Sequence, residues 1–240
     1  MTQAIGRVRK IYQHPVKSMA GRMLDRAELG WHGLTGDRRF AFRRLDCNTG
    51  FPWLTAGSLP CLILYRPHVF SATGEPTHVA TAEGKSLDLW SEELRAELSK
   101  GLGSKVELMH LAQGVFDEAN ISILTSGTVK ALELEAGREL DVRRFRPNIL
   151  IETIEGQALA EDSWIGKTLH FGNAASGPAI SVTMLDQRCS MINLDPDTAE
   201  SDPEILKAAV RLNDNNAGVY GTVTAIGSLA VGDSVFIREA

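Results

Sequence analysis

The sequence predicts a mainly β protein of the α+β kind, barrel-like rather than layered. Three observations carry that prediction. Short stretches alternate apolar and polar residues with the two-residue period of a strand, glycine and proline interrupt them at close intervals, and only three segments carry helix signals.

In chain order, residues 7–12 read as a strand, and so do 24–29, 39–45 and 61–65. Gly21, Gly30, Gly33, Gly36, Pro52, Pro60 and Pro67 punctuate them. A helix is expected from Ser91, which caps. Glu92 and Glu93 follow in the first turn, Leu94 and Leu98 share a face, and Gly101 supplies the stop. A strand over 105–111 comes next. Residues 113–120 form a connection, which sets the boundary between a first region, 1–112, and a second, 113–240. In the second region a helix is expected over 127–136, capped by Ser126 and stopped by Gly137. Another starts at Asp202-Pro203, with Asp as cap, Pro at the first helical position and Ile205, Leu206, Ala209 and Val210 on one side. Strands are expected over 148–153, 168–171, 180–194, 219–225 and 234–238.

The 240 residues suffice for one large domain or two intimate small ones. Hydrophobic residues at 43% and charged residues at 23% are ordinary for a globular protein. A net charge of −5 argues against nucleic-acid binding as the main task, which normally needs a basic excess. No apolar run approaches the roughly 20 residues that span a bilayer, and residues 1–13 lack the apolar stretch of a signal peptide. The expectation is a cytoplasmic protein with neither membrane nor nucleic acid as partner. Cys47, Cys61 and Cys189 are odd in number with no CxxC spacing, which fits neither a disulfide framework nor a zinc ribbon. The six histidines are scattered, and no Walker A, GxGxxG or GxSxG motif occurs.

Several segments carry chemistry. Asp186-Gln187-Arg188-Cys189-Ser190-Met191 puts a cysteine among polar neighbours, beside a cation and just before the polar loop Asp195-Pro196-Asp197-Thr198. A lone strand cysteine is most often a small buried hydrophobe, but an inert core thiol needs no such company. In a regular strand Arg188 and Cys189 face opposite ways. In Arg143-Arg144-Phe145-Arg146-Pro147-Asn148, an extended chain lines Arg144, Arg146 and Asn148 along one face. That face is either a grip for phosphate or a polar heterocycle, or a basic edge strand that resists aggregation. Lys17-Ser18, at the end of the first strand, is either an ordinary turn or an anion contact. Gly36-Asp37-Arg38-Arg39-Phe40 either turns into a strand or aims Arg39 at a ligand. Thr125-Ser126 either caps a helix or offers hydroxyls and amides to a phosphate.

Taken in order, these segments resemble one family. Pro15-Val16-Lys17-Ser18, Gly36-Asp37-Arg38-Arg39-Phe40, Arg144-Phe145-Arg146-Pro147-Asn148, Asp162-Ser163-Trp164-Ile165-Gly166, Arg188-Cys189, Asp195-Pro196-Asp197-Thr198 and Val231-Gly232-Asp233 are similar to motifs of the MOSC-domain proteins. That family takes in the C-terminal domain of molybdenum cofactor sulfurase and the mitochondrial amidoxime-reducing component. The resemblance runs from about residue 7 to 237 and implies an N-terminal β-barrel region (1–112) packed on a MOSC β-barrel with a few short helices (113–240).

The resemblance also implies a molybdenum cofactor, in which molybdenum is held by a molybdopterin dithiolene and by a protein cysteine, here Cys189. A soft thiolate suits such a centre. Lys17, Ser18, Arg39, Thr125, Ser126, Arg146, Asn148 and Arg188 become the expected contacts to pterin and phosphate, in a cleft between the two regions. Recombinant material can lack the group. The expected activity is a molybdenum-dependent oxidoreductase that reduces N-hydroxylated small molecules. The membrane anchor of the mitochondrial relatives, the ferredoxin-like domain of some bacterial ones and the pyridoxal-phosphate domain of the sulfurase are not recognisable here. A separate ferredoxin- or flavin-type reductase is therefore expected as electron donor. The alternative is a carrier that delivers the cofactor, or a persulfide on Cys189, to a recipient enzyme.

Overall fold

The computed structural model describes residues 2–174 and 176–238. In chain order the first region carries β1 (Thr2–Gln13), β2 (Arg22–Leu24), β3 (Arg26–Gly30), β4 (Gly33–Leu34), β5 (Phe40–Arg44), β6 (Arg66–Phe70), β7 (Pro76–Ala80), β8 (Ser86–Asp88), α1 (Glu92–Leu102) and β9 (Val106–His110). The second carries β10 (Ile121–Thr125), α2 (Ser126–Ala136), β11 (Ile149–Thr153), β12 (Thr168–Phe171), β13 (Ala179–Gln187), α3 (Glu204–Asn213), β14 (Asn216–Ala225), β15 (Gly227–Ala230) and β16 (Ser234–Arg238). The expected mainly β, α+β class is what the chain adopts.

Strands β11, β10, β14, β13, β12, β16 and β1 hydrogen-bond in that order, and β1 returns to β11, closing a seven-stranded barrel. The first strand thus seals a barrel whose other strands lie between residues 121 and 238. Inward-facing Val8, Ile11, Ile123, Ile151, Leu169 and Val219 fill it. A second core lies in the first region, where Phe40 and Phe42 of β5 and Leu94 and Leu98 of α1 pack with Leu54 and Leu108. A third joins α2 and α3 to the barrel through Leu124, Leu132, Ile205 and Ala209. Among the described residues, no helix is long and apolar enough to cross a membrane.

Several elements differ from the sequence reading. Residues 24–29 change partners at Asp25: Leu24 pairs with Ile11 of β1, whereas Leu29 pairs with Gly227 of β15. Residues 61–65 are not a strand. Pro60 starts a 3-10 helix, Pro60–Leu64, because its fixed φ and missing N–H suit a first helical position. Gly101 lies inside α1, which stops at the left-handed Gly103. Thr125, not Ser126, caps α2 by accepting from Thr128 N. Asp202 caps α3 through Glu204 N at 3.1 Å, but Ala208 faces inward in place of Val210, which is 50% exposed and lies well round the helix from Ile205.

The strand expected over 180–194 ends at Gln187. That residue pairs with Asn216, the first residue of β14, and beyond it, where Arg188 N still donates to Asn215 O at 2.8 Å, the left-handed Asp214 and Asn215 end the regular ladder. Cys189 therefore lies outside the strand, at the start of a 3-10 turn, Ser190–Asn193. The expected extended face through Arg144, Arg146 and Asn148 is also absent. Asp141 caps a 3-10 turn, Val142–Phe145, and Arg146 is left-handed at φ 50, which sends the three side chains in different directions.

Candidate functional site

A cleft of about 1030 Å3 opens between one end of the barrel and the loops of the first region. Lys17, Ser18, Arg146, Arg188 and Cys189 all line it. The barrel supplies Ser122 from β10, Asp186 and Gln187 from β13, and Tyr220 from β14.

The floor is crowded with cations. Arg38 is the hub: its guanidinium donates to Asp37 Oδ2 at 2.6 Å, to Asn148 Oδ1 at 3.1 Å and to Arg146 O at 2.9 Å, and it pairs with Asp117 Oδ2 at 2.5 Å. Burial alone would depress its pKa, but Asp37 and Asp117 raise it above the usual arginine value. Arg146 donates to Met19 O at 2.5 Å. Burial, reinforced by Arg38, brings it down to about 10. Lys17 donates to Phe116 O at 2.9 Å and lies 3.8 Å from Asp117. Desolvation lowers its pKa, and Asp117 opposes the shift.

Arg188 is buried under the rim. It donates to Phe145 O and Ala217 O, each at 2.7 Å, and pairs with Asp186 Oδ2 at 2.8 Å. Gly218 makes room for it: a Cβ there would lie 3.1 Å from Arg188 Nη2 and 2.6 Å from Ile123 O, at φ +90. Asp186 also accepts from Ser122 Oγ at 2.7 Å. Desolvation pushes its carboxyl up to about 6 against the pull of Arg188 and Ser122. Cys189 itself is exposed. Arg144, on the same cleft, donates to Asn193 O at 3.0 Å and Asp195 Oδ2 at 2.7 Å. Its Nε is buried without a hydrogen-bond partner among the described residues.

The remaining expected residues are not among those lining the cleft. Arg39 donates to Leu111 O at 2.7 Å and ties down the 111–118 connection. Thr125 is fully buried and donates to Glu161 Oε2 at 2.7 Å. Ser126 Oγ reaches Ile151 O at 3.4 Å. Asn148 sits beneath the floor. It accepts from Arg38 and from Ser122 N at 3.0 Å, and donates to Tyr12 O at 3.3 Å. Arg38, Asp117 and Asp186 were not singled out from the sequence. Arg38 is the chain neighbour of Arg39, and Asp186 lies two residues before Arg188 in the same motif. Asp117, in a polar connection, carried no local signal. Other motif residues serve the scaffold: Trp164 packs in the barrel core, and Asp233 Oδ2 accepts from Ala230 N at 2.7 Å in a turn. Among the described residues, no three of His, Cys, Asp and Glu cluster as metal ligands would.

Comparison with known proteins gives two family matches. The MOSC domain matches residues 74–236, and the MOSC N-terminal beta barrel domain matches residues 5–109. Mitochondrial amidoxime reducing component 2 of Bos taurus is 31% identical over 134 residues, and its Homo sapiens counterpart 29% over 133. Each match covers 50% of this chain and only 37% of the relative. The crystal structure of the YUAD protein from Bacillus subtilis superposes with a TM-score of 0.53 over 100% of this chain and 97% of that one. At 15% identity this likeness concerns the fold alone.

Proposed function

The chain belongs to the MOSC-domain family, and on that premise we propose that its cleft binds a molybdenum cofactor and serves the reduction of N-hydroxylated compounds. The observation that carries the reading is the exposed thiol of Cys189 on a cleft that Lys17, Arg38 and Arg146 also line.

The residues present fit the group. One cysteine, Cys189, lines the cleft, and a soft thiolate suits molybdenum. Lys17, Arg38 and Arg146 crowd the floor with Asp117 as a shared counter-charge, and an added anion would relieve their repulsion. Cys189 would hold the metal, Lys17 and Arg146 the phosphate, and Ser18 and Arg188 the rim of the pterin. In this reading both regions, 1–112 and 113–240, contribute residues to the cleft. Arg39, Thr125, Ser126 and Asn148 brace the cleft from behind through the bonds described above. The group, when bound, supplies a two-electron redox centre. Conversion of N–OH to N–H consumes two electrons and two protons and releases water, and a separate ferredoxin- or flavin-type reductase would supply the electrons. The chain's own part is to hold the metal at Cys189 and to keep the cationic floor paired.

The test is turnover. Protein loaded with near-stoichiometric molybdenum should convert benzamidoxime to benzamidine with reduced methyl viologen as donor. Absence of turnover at full loading overturns the reductase reading. The exposure of Cys189 also favours a second reading, a carrier whose thiol is open to a partner protein. That version requires a persulfide mass increment on Cys189 after incubation with a cysteine desulfurase, and failure to accept sulfur removes it.

A further inference from the structure

The two sides of the cleft differ in chemistry. Beside the cationic floor, Phe51, Trp53, Met109 and Leu111 of the first region, with Val115 and Phe116 of the connection that follows, form an apolar wall. Phe51 is 58% exposed and Met109 38% exposed. Isolated exposed hydrophobes are ordinary, but these two open onto the same cleft.

The wall is rigid. Arg44 N donates to Pro52 O at 2.8 Å, Leu54 N donates to Phe42 O at 2.7 Å, and Trp53 bridges to Arg43. The segment is thus fastened to β5 on both sides of Trp53. The indole packs edge-on against Phe116, with centroids 4.7 Å apart at 65°. The wall also leads to the thiol. A Cβ on Gly57, four residues past Trp53, would lie 3.9 Å from Ser190 Oγ, so the strap that carries the indole runs up to the neighbour of Cys189. On the other side, Lys17 Nζ lies 5.5 Å from the Phe51 ring centroid.

We propose that Phe51 and Trp53 form the substrate-side wall of the cleft. They select N-hydroxylated compounds whose N–O group is conjugated to a planar aromatic ring over small aliphatic ones. The proposal rests on the reductase reading of the same site. A ring laid on this wall meets aromatic faces already held in place, so little rotamer freedom is lost on binding. Its N–O end then points along the strap toward Cys189. An aliphatic amidoxime gains nothing from the wall.

The test compares wild type, Phe51→Ala and Trp53→Ala, each loaded with molybdenum, on benzamidoxime and acetamidoxime. The expected result is unchanged molybdenum content and a fall of about tenfold in the ratio of kcat/KM for the aromatic over the aliphatic substrate. Loss of molybdenum from the variants would assign the wall to the cofactor and overturn the proposal, as would an equal effect on both substrates. Phe51 is exposed, so its variant keeps the test in hand if Trp53→Ala does not fold. Binding is read apart from turnover by titrating tryptophan fluorescence of the loaded protein with benzamidoxime. Quenching with about tenfold weaker affinity in Phe51→Ala supports the wall even if wild type does not turn over, which would sink the reductase reading alone. Equal affinity in both proteins overturns the wall.

Discussion

Two adjacent arginines should differ sharply in what they contribute to the fold. Asp37 is fully buried, and its carboxylate has two partners on this floor: the His14 amide at 2.5 Å and the Arg38 guanidinium at 2.6 Å. In Arg38→Met the carboxylate loses its counter-charge, and Asn148, Asp117 and the Arg146 carbonyl each lose a donor. Breaking a buried pair from one side costs about 3–5 kcal/mol. A typical domain holds only ~5–15 kcal/mol in total. For a chain of this size that is a fall in Tm of roughly 6–20 °C. Arg39 donates its side-chain hydrogen bonds to one carbonyl, Leu111 O, and strands no buried charge, so Arg39→Met should cost less, about 1.5 kcal/mol. Urea unfolding of the two variants, followed by tryptophan fluorescence and circular dichroism, measures the difference. Asp37→Asn in the Arg38→Met background should recover part of the loss, because it removes the stranded charge. Equal costs for Arg38→Met and Arg39→Met would refute the assignment of Arg38 as the hub.

Other outcomes follow from the same floor and its supports. Burial raises the Asp186 pKa from 3.8 to about 6, so the folded chain keeps a proton that the unfolded chain has released. The stability tied to that proton is full below about pH 4 and is lost as pH rises through 6. The stability of wild type minus that of Asp186→Asn should therefore fall by roughly 3 kcal/mol across this window, and a flat difference contradicts the shift. Gly218→Ala forces a side chain to φ +90 beside Arg188 and should cost ~1–3 kcal/mol in thermal unfolding; a neutral substitution would mean that Arg188 moves freely. Ser91→Ala removes the acceptor for Leu94 N and should cost about 1 kcal/mol in denaturant unfolding, with the cleft unaffected.

What could be read from the sequence was what local pattern determines. The alternation around Val8 and Ile11 marks β1, Ser91 and its acidic first turn mark α1, and Gly137 marks the end of α2. Errors arose where distant partners decide. Residues 61–65 are apolar enough for a strand, but Pro60 starts a helical turn and Leu62 and Ile63 are buried from there. The apolar run after Ile180 continues past Gln187, but its partner strand begins at Asn216. The closure of the barrel by β1 is set by pairing with residues 138 to 147 positions away, which no local window contains.

The same limit applied at the cleft. Lys17, Arg146, Arg188 and Cys189 stood out through their motifs, and the fold gathers them. The family resemblance points to Arg39, but it is Arg38, left-handed at φ 46, that turns back toward Asp37 and Asn148. Asp117 meets Arg38 and Lys17 only because the 113–120 connection folds over them.

The central claim is that Cys189 ligates molybdenum, and molybdenum content tests it most directly. Wild type and Cys189→Ser would be expressed with an active cofactor pathway and measured by elemental mass spectrometry. Because Cys189 is exposed, the substitution should leave the unfolding midpoint nearly unchanged. The account predicts near-stoichiometric molybdenum in the wild type, and its loss or an altered absorption spectrum in the variant. Equal metal content with identical spectra in both proteins, or no molybdenum in either, would contradict it.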